Sequence, residues 1–181
     1  KAFPDKDLRP VVVHCQTARE DQLDRMQALG VMETFFVLHT YYWGDRHVNI
    51  FLGPERGNRI NPLRSALRRG IPFTTHCDTP ITPQEPLLPI WAAVNRLPFA
   101  GNSIGAEQCL DVLSSVRAYT IQSAYQNFEE SSKGSIEVGK LADFVVLRDD
   151  PLTCDPMLIR DIVVDETIVG GKSVFKAVDK S

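Results

Sequence analysis

Hydrophobic positions in the first eighty residues fall into short unbroken runs, separated by stretches with helical spacing. Val11, Val12 and Val13 form one such run, closed by His14, and predict a buried strand. Thr17 to Glu20 fits a capping box, with Thr17 as N-cap and Glu20 reaching back to it. Leu23, Met26 and Leu29 then recur at helical spacing until Gly30 stops the pattern. Residues 31–39, rich in β-branched and aromatic side chains, predict a second strand, and residues 40–60 a long loop. Asn61 and Pro62 suit the N-cap and first position of a helix that ends at Gly70. Residues 71–75 predict a third strand. Two further helices are expected over 86–97 and 106–126, the second burying Leu110, Leu113, Val116, Tyr119 and Ile121. From Gly134 the texture changes to Val, Ile and Gly without helical period. Four short strands are expected there, over 144–147, 159–164, 166–169 and 172–175, with a hairpin at Gly170-Gly171.

Strand alternating with helix at the front of the chain argues for βα units and a parallel sheet. The C-terminal edge of such a sheet is where chemistry collects, and His14, His39 and His76 to Asp78 fall there. His76 and Asp78, two residues apart, are expected to share a strand face. Three parallel strands do not close a barrel, which needs eight. A small open sheet and a part of a larger barrel are therefore both open at this point, with residues 134–181 as a second, small β unit.

Composition narrows the function classes. The 181 residues are 43% hydrophobic and 24% charged with a formal net charge of -3, an ordinary globular balance. The lysines and arginines are scattered, so no nucleic-acid footprint is expected, and no apolar run is long enough to predict a membrane span. Cys15, Cys77, Cys109 and Cys154 are widely spaced with no CxxC pair, which predicts reduced thiols and a cytoplasmic protein. His14-Cys15 and His76-Cys77 are adjacent pairs, with one residue expected inward and the other outward, rather than a structural zinc site.

Four segments taken in order resemble the amidohydrolase family 3 group of metal-dependent hydrolases. They are Val12-Val13-His14-Cys15-Gln16; the stretch from His39 through Trp43-Gly44-Asp45-Arg46-His47 to Leu52-Gly53-Pro54-Glu55-Arg56; His76-Cys77-Asp78-Thr79-Pro80; and Gly134-Ser135-Ile136-Glu137-Val138-Gly139-Lys140-Leu141-Ala142-Asp143-Phe144. The resemblance implies an α/β fold. Residues 1–133 would be the C-terminal part of a (β/α)8 TIM barrel, strands six to eight, and 134–181 the C-terminal strands of a small β-sandwich. It also implies that the earlier strands, with further metal ligands, are absent from this chain, so that the piece alone is inactive.

On that resemblance, Asp78 is expected to bind a divalent metal, zinc first, and to take a proton from the metal-activated water that attacks a C–N bond. His14 resembles a strand-end metal ligand, a role that neutral imidazole suits. His39, His47 and Trp43 are expected to face a small-molecule substrate, and Tyr41 and Tyr42 to share an aromatic wall with Trp43 or to pack on the barrel rim. His76 departs from the family's usual residue. An incomplete sheet leaves an apolar edge, so a homo-oligomer or completion by the missing N-terminal part is expected. Two other functions stay open: a non-catalytic α/β binding module, and a deaminase or C–O hydrolase of the same superfamily.

Overall fold

The computed structural model describes residues 6–99 and 101–178, so residues 1–5, 100 and 179–181 of the two expected units fall outside it. Strand β1 (Val11–His14) pairs in parallel with β2 (Met32–Phe35), and β2 with β3 (Phe73–Thr75), in sequence order. The register sets His14 beside Phe35 and Phe35 beside Thr75, which brings the C-terminal ends of all three strands to one edge. All four β2 residues are buried, as the central strand of a sheet covered on both faces must be. Val13 on β1 is 61% exposed, since that strand has no second neighbour among the described residues.

Helix α1 (Glu20–Leu29) begins two residues later than the Thr17 capping box predicts. Arg19 is its N-cap, and the Arg19 N–H donates to Gln22 Oε1 at 2.9 Å. Glu20 is recruited elsewhere: its carboxylate meets Arg69 at 2.6 Å, pairs with Arg59 and accepts from Ser65 Oγ at 3.0 Å. The Ser65 hydrogen bond and the Arg69 ion pair tie α1 to α4 (Leu63–Arg68) and to the residue that caps it. Asn61 is not the N-cap of α4; Pro62 is. The Asn61 backbone N–H donates instead to Gln16 O at 2.7 Å, and its Nδ2 to Thr40 Oγ1 at 3.3 Å, both inside the protein.

The largest departure lies between β2 and α4. The second strand stops at Phe35, and the expected loop over 40–60 is helical. Helix α2 (Leu38–Arg46) runs into a π-helical turn, His47–Phe51, followed by α3 (Gly53–Asn58) with Pro54 in its first turn. The expected helix over 86–97 is α5 (Leu87–Asn95). The stretch 106–126 is broken into a 3-10 turn (Ala106–Gln108), α6 (Val112–Tyr119) and α7 (Ile121–Gln126). Asp111 starts α6 afresh by accepting from the Ser114 N–H at 2.8 Å, and Leu113, expected in the core, is 43% exposed.

Among the described residues the tail carries three antiparallel strands, not four: β4 (Phe144–Leu147), β5 (Val164–Val169) and β6 (Lys172–Lys176) in the order β4-β5-β6. The hairpin at Gly170-Gly171 forms as expected, with φ of 56° and 76°, values that favour glycine. The residues expected as a strand over 159–164 begin inside a 3-10 helix (Pro156–Asp161). Pro156 opens it, Asp155 accepts from the Met157 N–H at 2.9 Å, and Ile159 is fully buried. Trp91 of α5 receives this turn: its Nε1 donates to Met157 O at 2.9 Å and the Arg160 guanidinium sits 4.5 Å from its ring.

Candidate active site

The C-terminal edge of the parallel sheet gathers the histidines around one aromatic ring. β1 ends with His14 at φ 65° and Cys15 at φ 45°, left-handed conformations that end the strand and turn the chain sharply. The His14 ring then lies 5.1 Å from that of His76, 5.9 Å from that of His39 and 5.8 Å from that of Phe36. Phe36 itself stacks on His76 at 5.4 Å and meets His39 edge-on at 4.5 Å. His39 is not a strand-end residue as expected, but lies in the first turn of α2.

Asp78 follows β3 by three residues, at φ 54°, in a turn closed by the Ile81 N–H donating to Asp78 O at 2.8 Å. Strand alternation therefore does not relate His76 to Asp78, because both lie beyond Thr75. Asp78 lines a cleft of about 520 Å³ together with His14, Gln16, Phe36, His39, Trp43, His47, Phe51 and Ile81. All five residues expected at the site from the sequence, His14, His39, Trp43, His47 and Asp78, thus share one cavity. Tyr41 does not join Trp43 in its wall; it packs on Trp91 at 5.6 Å and Phe99 at 5.9 Å. Cys15 is buried, and neither it nor Cys77 lines the cleft.

Gln16, Phe36, Phe51 and Ile81 were not anticipated. For Phe51 the signal was present: His39, Trp43, His47 and Phe51 recur every fourth residue, the spacing of one helix face. On that face the His39 ring lies 5.9 Å from Trp43 and 5.7 Å from His47, and the His47 ring 5.7 Å from Phe51. Reading the segment as a loop concealed it. Gln16 Nε2 lies 3.0 Å from His47 Nε2, which ties the β1 turn to this face.

Burial disfavours the charged form of His39, His47 and His76. It pushes the His39 pKa down to about 4, helped by the neighbouring His47 and His14. Burial likewise lowers His47, and burial with the nearby His14 lowers His76. His14 Nδ1, His39 Nδ1 and His76 Nε2 are buried without a hydrogen-bond partner. Unpartnered imidazole nitrogens beside a carboxylate are the donor types a divalent transition metal takes. Among the described residues, however, no three His, Cys, Asp or Glu side chains are arranged to hold one ion. The donor chemistry fits a metal; the donor number does not complete a site.

A model of the amidohydrolase family matches residues 1–175. The amidohydrolase YtcJ of Bacillus subtilis (strain 168) is 29% identical over 172 residues, covering 91% of this chain and 32% of YtcJ. The N-substituted formamide deformylase of Arthrobacter pascens is 30% identical over 159 residues, 87% of this chain and 29% of that protein. The chain therefore spans about a third of the length of the curated relatives it matches. A crystal structure of an uncharacterized metal-dependent hydrolase from Pyrococcus horikoshii OT3 superposes with TM-score 0.70 at 24% identity, over 85% of this chain and 32% of that one, which shows the shared fold.

Proposed function

The chain belongs to the amidohydrolase family, and on that premise we propose that it supplies the His14–Asp78 side of a metal-dependent hydrolase site that cleaves an amide-type C–N bond. The observation that carries this reading is the convergence of His14, with a buried and partnerless Nδ1, and Asp78 on one cleft at the C-terminal edge of a parallel sheet. In it β1, β2 and β3 are strands six, seven and eight of a (β/α)8 barrel, and β4 to β6 belong to a small β-sandwich. Five more strands are needed to close the barrel, and the relatives are about three times as long. The remaining metal ligands then come from those strands, in another part of the polypeptide or another chain. The four free thiols suit a reducing compartment such as the cytoplasm.

His14 and Asp78 are the residues of this chain that would hold the metal, zinc first. When bound, such an ion polarises a carbonyl and makes water a nucleophile near neutral pH. Asp78 takes the proton from the attacking water at a carboxylate oxygen and returns it to the departing nitrogen. His39, kept neutral by burial, donates a hydrogen bond to the substrate oxygen, and Trp43 and His47 border the substrate. A C–N bond is preferred over a C–O bond or a ring amine because the Arthrobacter pascens relative is named for deformylating N-substituted formamides.

The test is turnover and bound metal in a protein of its relatives' full length. Asp78→Asn keeps the shape but removes the base, so turnover should fall about 100-fold or more. His14→Ala should chiefly lower metal content. Near-normal turnover by Asp78→Asn with metal in place would overturn the mechanism.

A further inference from the structure

The cleft that holds His14 and Asp78 has an apolar half that the hydrolytic chemistry does not use. The helix face His39, Trp43, His47, Phe51 alternates imidazoles with apolar rings, and it passes from α2 into the π-helical turn without leaving the cleft. π-Helical turns of this kind recur where a helix must present side chains to a ligand. Phe51, at the end of that turn, is 60% exposed. Ile81, 62% exposed, comes from a different element, the turn whose first residue is Asp78. Trp43 and Phe36 line the same cleft, with rings 6.2 Å from each other, and Phe51 meets the His47 ring at 5.7 Å. Among the described residues, two large apolar side chains thus stand exposed on this cleft, one of them hydrogen-bonded through its backbone to Asp78. Burying such groups against a ligand is favourable by the area removed from water. No lysine or arginine lines the cleft among the described residues, and its acidic side chain is Asp78.

We propose that Trp43, Phe51 and Ile81 form a specificity subsite for an uncharged aromatic substituent of the substrate, a ring the size of phenyl, so that the substrate is an aryl- or arylalkyl-substituted neutral amide. This rests on the reading of the site as hydrolytic, but the subsite itself needs neither metal nor turnover. A cleft of about 520 Å³ is of small-molecule size. Ile81 and Asp78 belong to one turn, closed by the Ile81 N–H donating to Asp78 O at 2.8 Å, so a ring against Ile81 lies beside the turn that carries the carboxylate. In the metal-free chain an anionic ligand would meet the Asp78 carboxylate and no lysine or arginine among the described lining residues, and a purely polar one would leave the apolar rings wet.

The protein carries its own reporter. Of its two tryptophans, Trp91 is 2% exposed in the core, whereas Trp43 lines the cleft. Tryptophan fluorescence of the 181-residue chain, titrated in EDTA with benzamide, acetamide and benzoate, tests the subsite directly. Benzamide should give a saturable change at a concentration at least about 10-fold below any response to acetamide, the difference being the buried ring. Benzoate should bind more weakly than benzamide. Phe51→Ala and Ile81→Ala, at exposed positions and with unchanged circular dichroism, should each weaken benzamide about 3-fold or more. The subsite is ruled out if acetamide or benzoate matches benzamide, if no ligand responds, or if neither substitution alters benzamide binding. If benzamide binds as expected while a protein of the relatives' full length hydrolyses nothing, the hydrolytic reading falls and the subsite stands.

Discussion

Gln16 Nε2 approaches His47 Nε2 to 3.0 Å, across the gap between the turn after β1 and the helix after β2. An amide nitrogen can only donate, so His47 Nε2 accepts and its own proton sits on Nδ1. Long-range 15N NMR of the histidine side chains should show His47 neutral at pH 7 with Nε2 unprotonated. A protonated Nε2 would mean that the amide is turned the other way. Gln16→Leu should then cost about 1 kcal/mol in urea unfolding, the worth of one ordinary hydrogen bond.

Glu33 on β2 is fully buried, and neither carboxylate oxygen has a hydrogen-bond partner. Burial raises its pKa from 4.5 to about 7, against weak opposition from the adjacent Cys15 and the more distant Arg69. The folded state therefore holds its proton more tightly than the unfolded chain does. Between about pH 4.5 and 7 this group makes stability fall as pH rises, with no further change above that window. A shift of that size corresponds to about 3 kcal/mol. Glu33→Gln should be more stable than the parent at pH 8, and the gap should close towards pH 4. Urea unfolding at the two pH values checks this; equal stability of the two proteins at pH 8 would contradict it.

Arg96 is a buried cation with no carboxylate partner among the described residues. Its guanidinium donates to three backbone carbonyls instead: Ile104 O at 2.8 Å, Asn61 O at 3.1 Å and Ile60 O at 2.7 Å. Asn61 in turn donates to Gln16 O, so this clamp stands behind the cleft. Arg96→Ala strands all three carbonyls and should cost about 3 kcal/mol. In a chain of this size that lowers the melting temperature by roughly 6–12 °C. A shift under about 2 °C would show that the carbonyls find other partners.

Zinc affinity of the 181-residue chain should be weak. A catalytic zinc centre takes three protein ligands, and no such group is arranged here among the described residues. Calorimetry should give a Kd on the order of 10 μM or weaker, weakened further by Asp78→Asn. Nanomolar binding by this chain alone would mean that the site is complete without further strands.

The sequence by itself determined the parallel β1-β2-β3 order and the antiparallel hairpin in the tail, and the family resemblance pointed to five of the nine residues that line the cleft. Those features are local. Unbroken Val runs make strands, Gly30 ends a helix with φ 65°, and polar residues just past a strand end must lie at the sheet's edge. Only the tertiary structure decided that residues 40–60 are helical. Gly44, Gly53, Pro54 and Gly57 read locally as loop punctuation. Within the fold, a Cβ on Gly44 would come within 2.4 Å of Ile104 Cδ1, and one on Gly57 within 2.6 Å of Val48 Cα. Gly44 stands where a segment sixty residues on packs closely and Gly57 where the preceding π-helical turn does, so helix propensity yields to packing. The same packing turns an every-fourth-residue pattern into a continuous cleft wall, from His39 through Trp43 and His47 to Phe51. Strand lengths in the tail followed the same logic: Ile159 left the sheet for a 3-10 turn because its neighbours there dock on Trp91, a partner no local window contains.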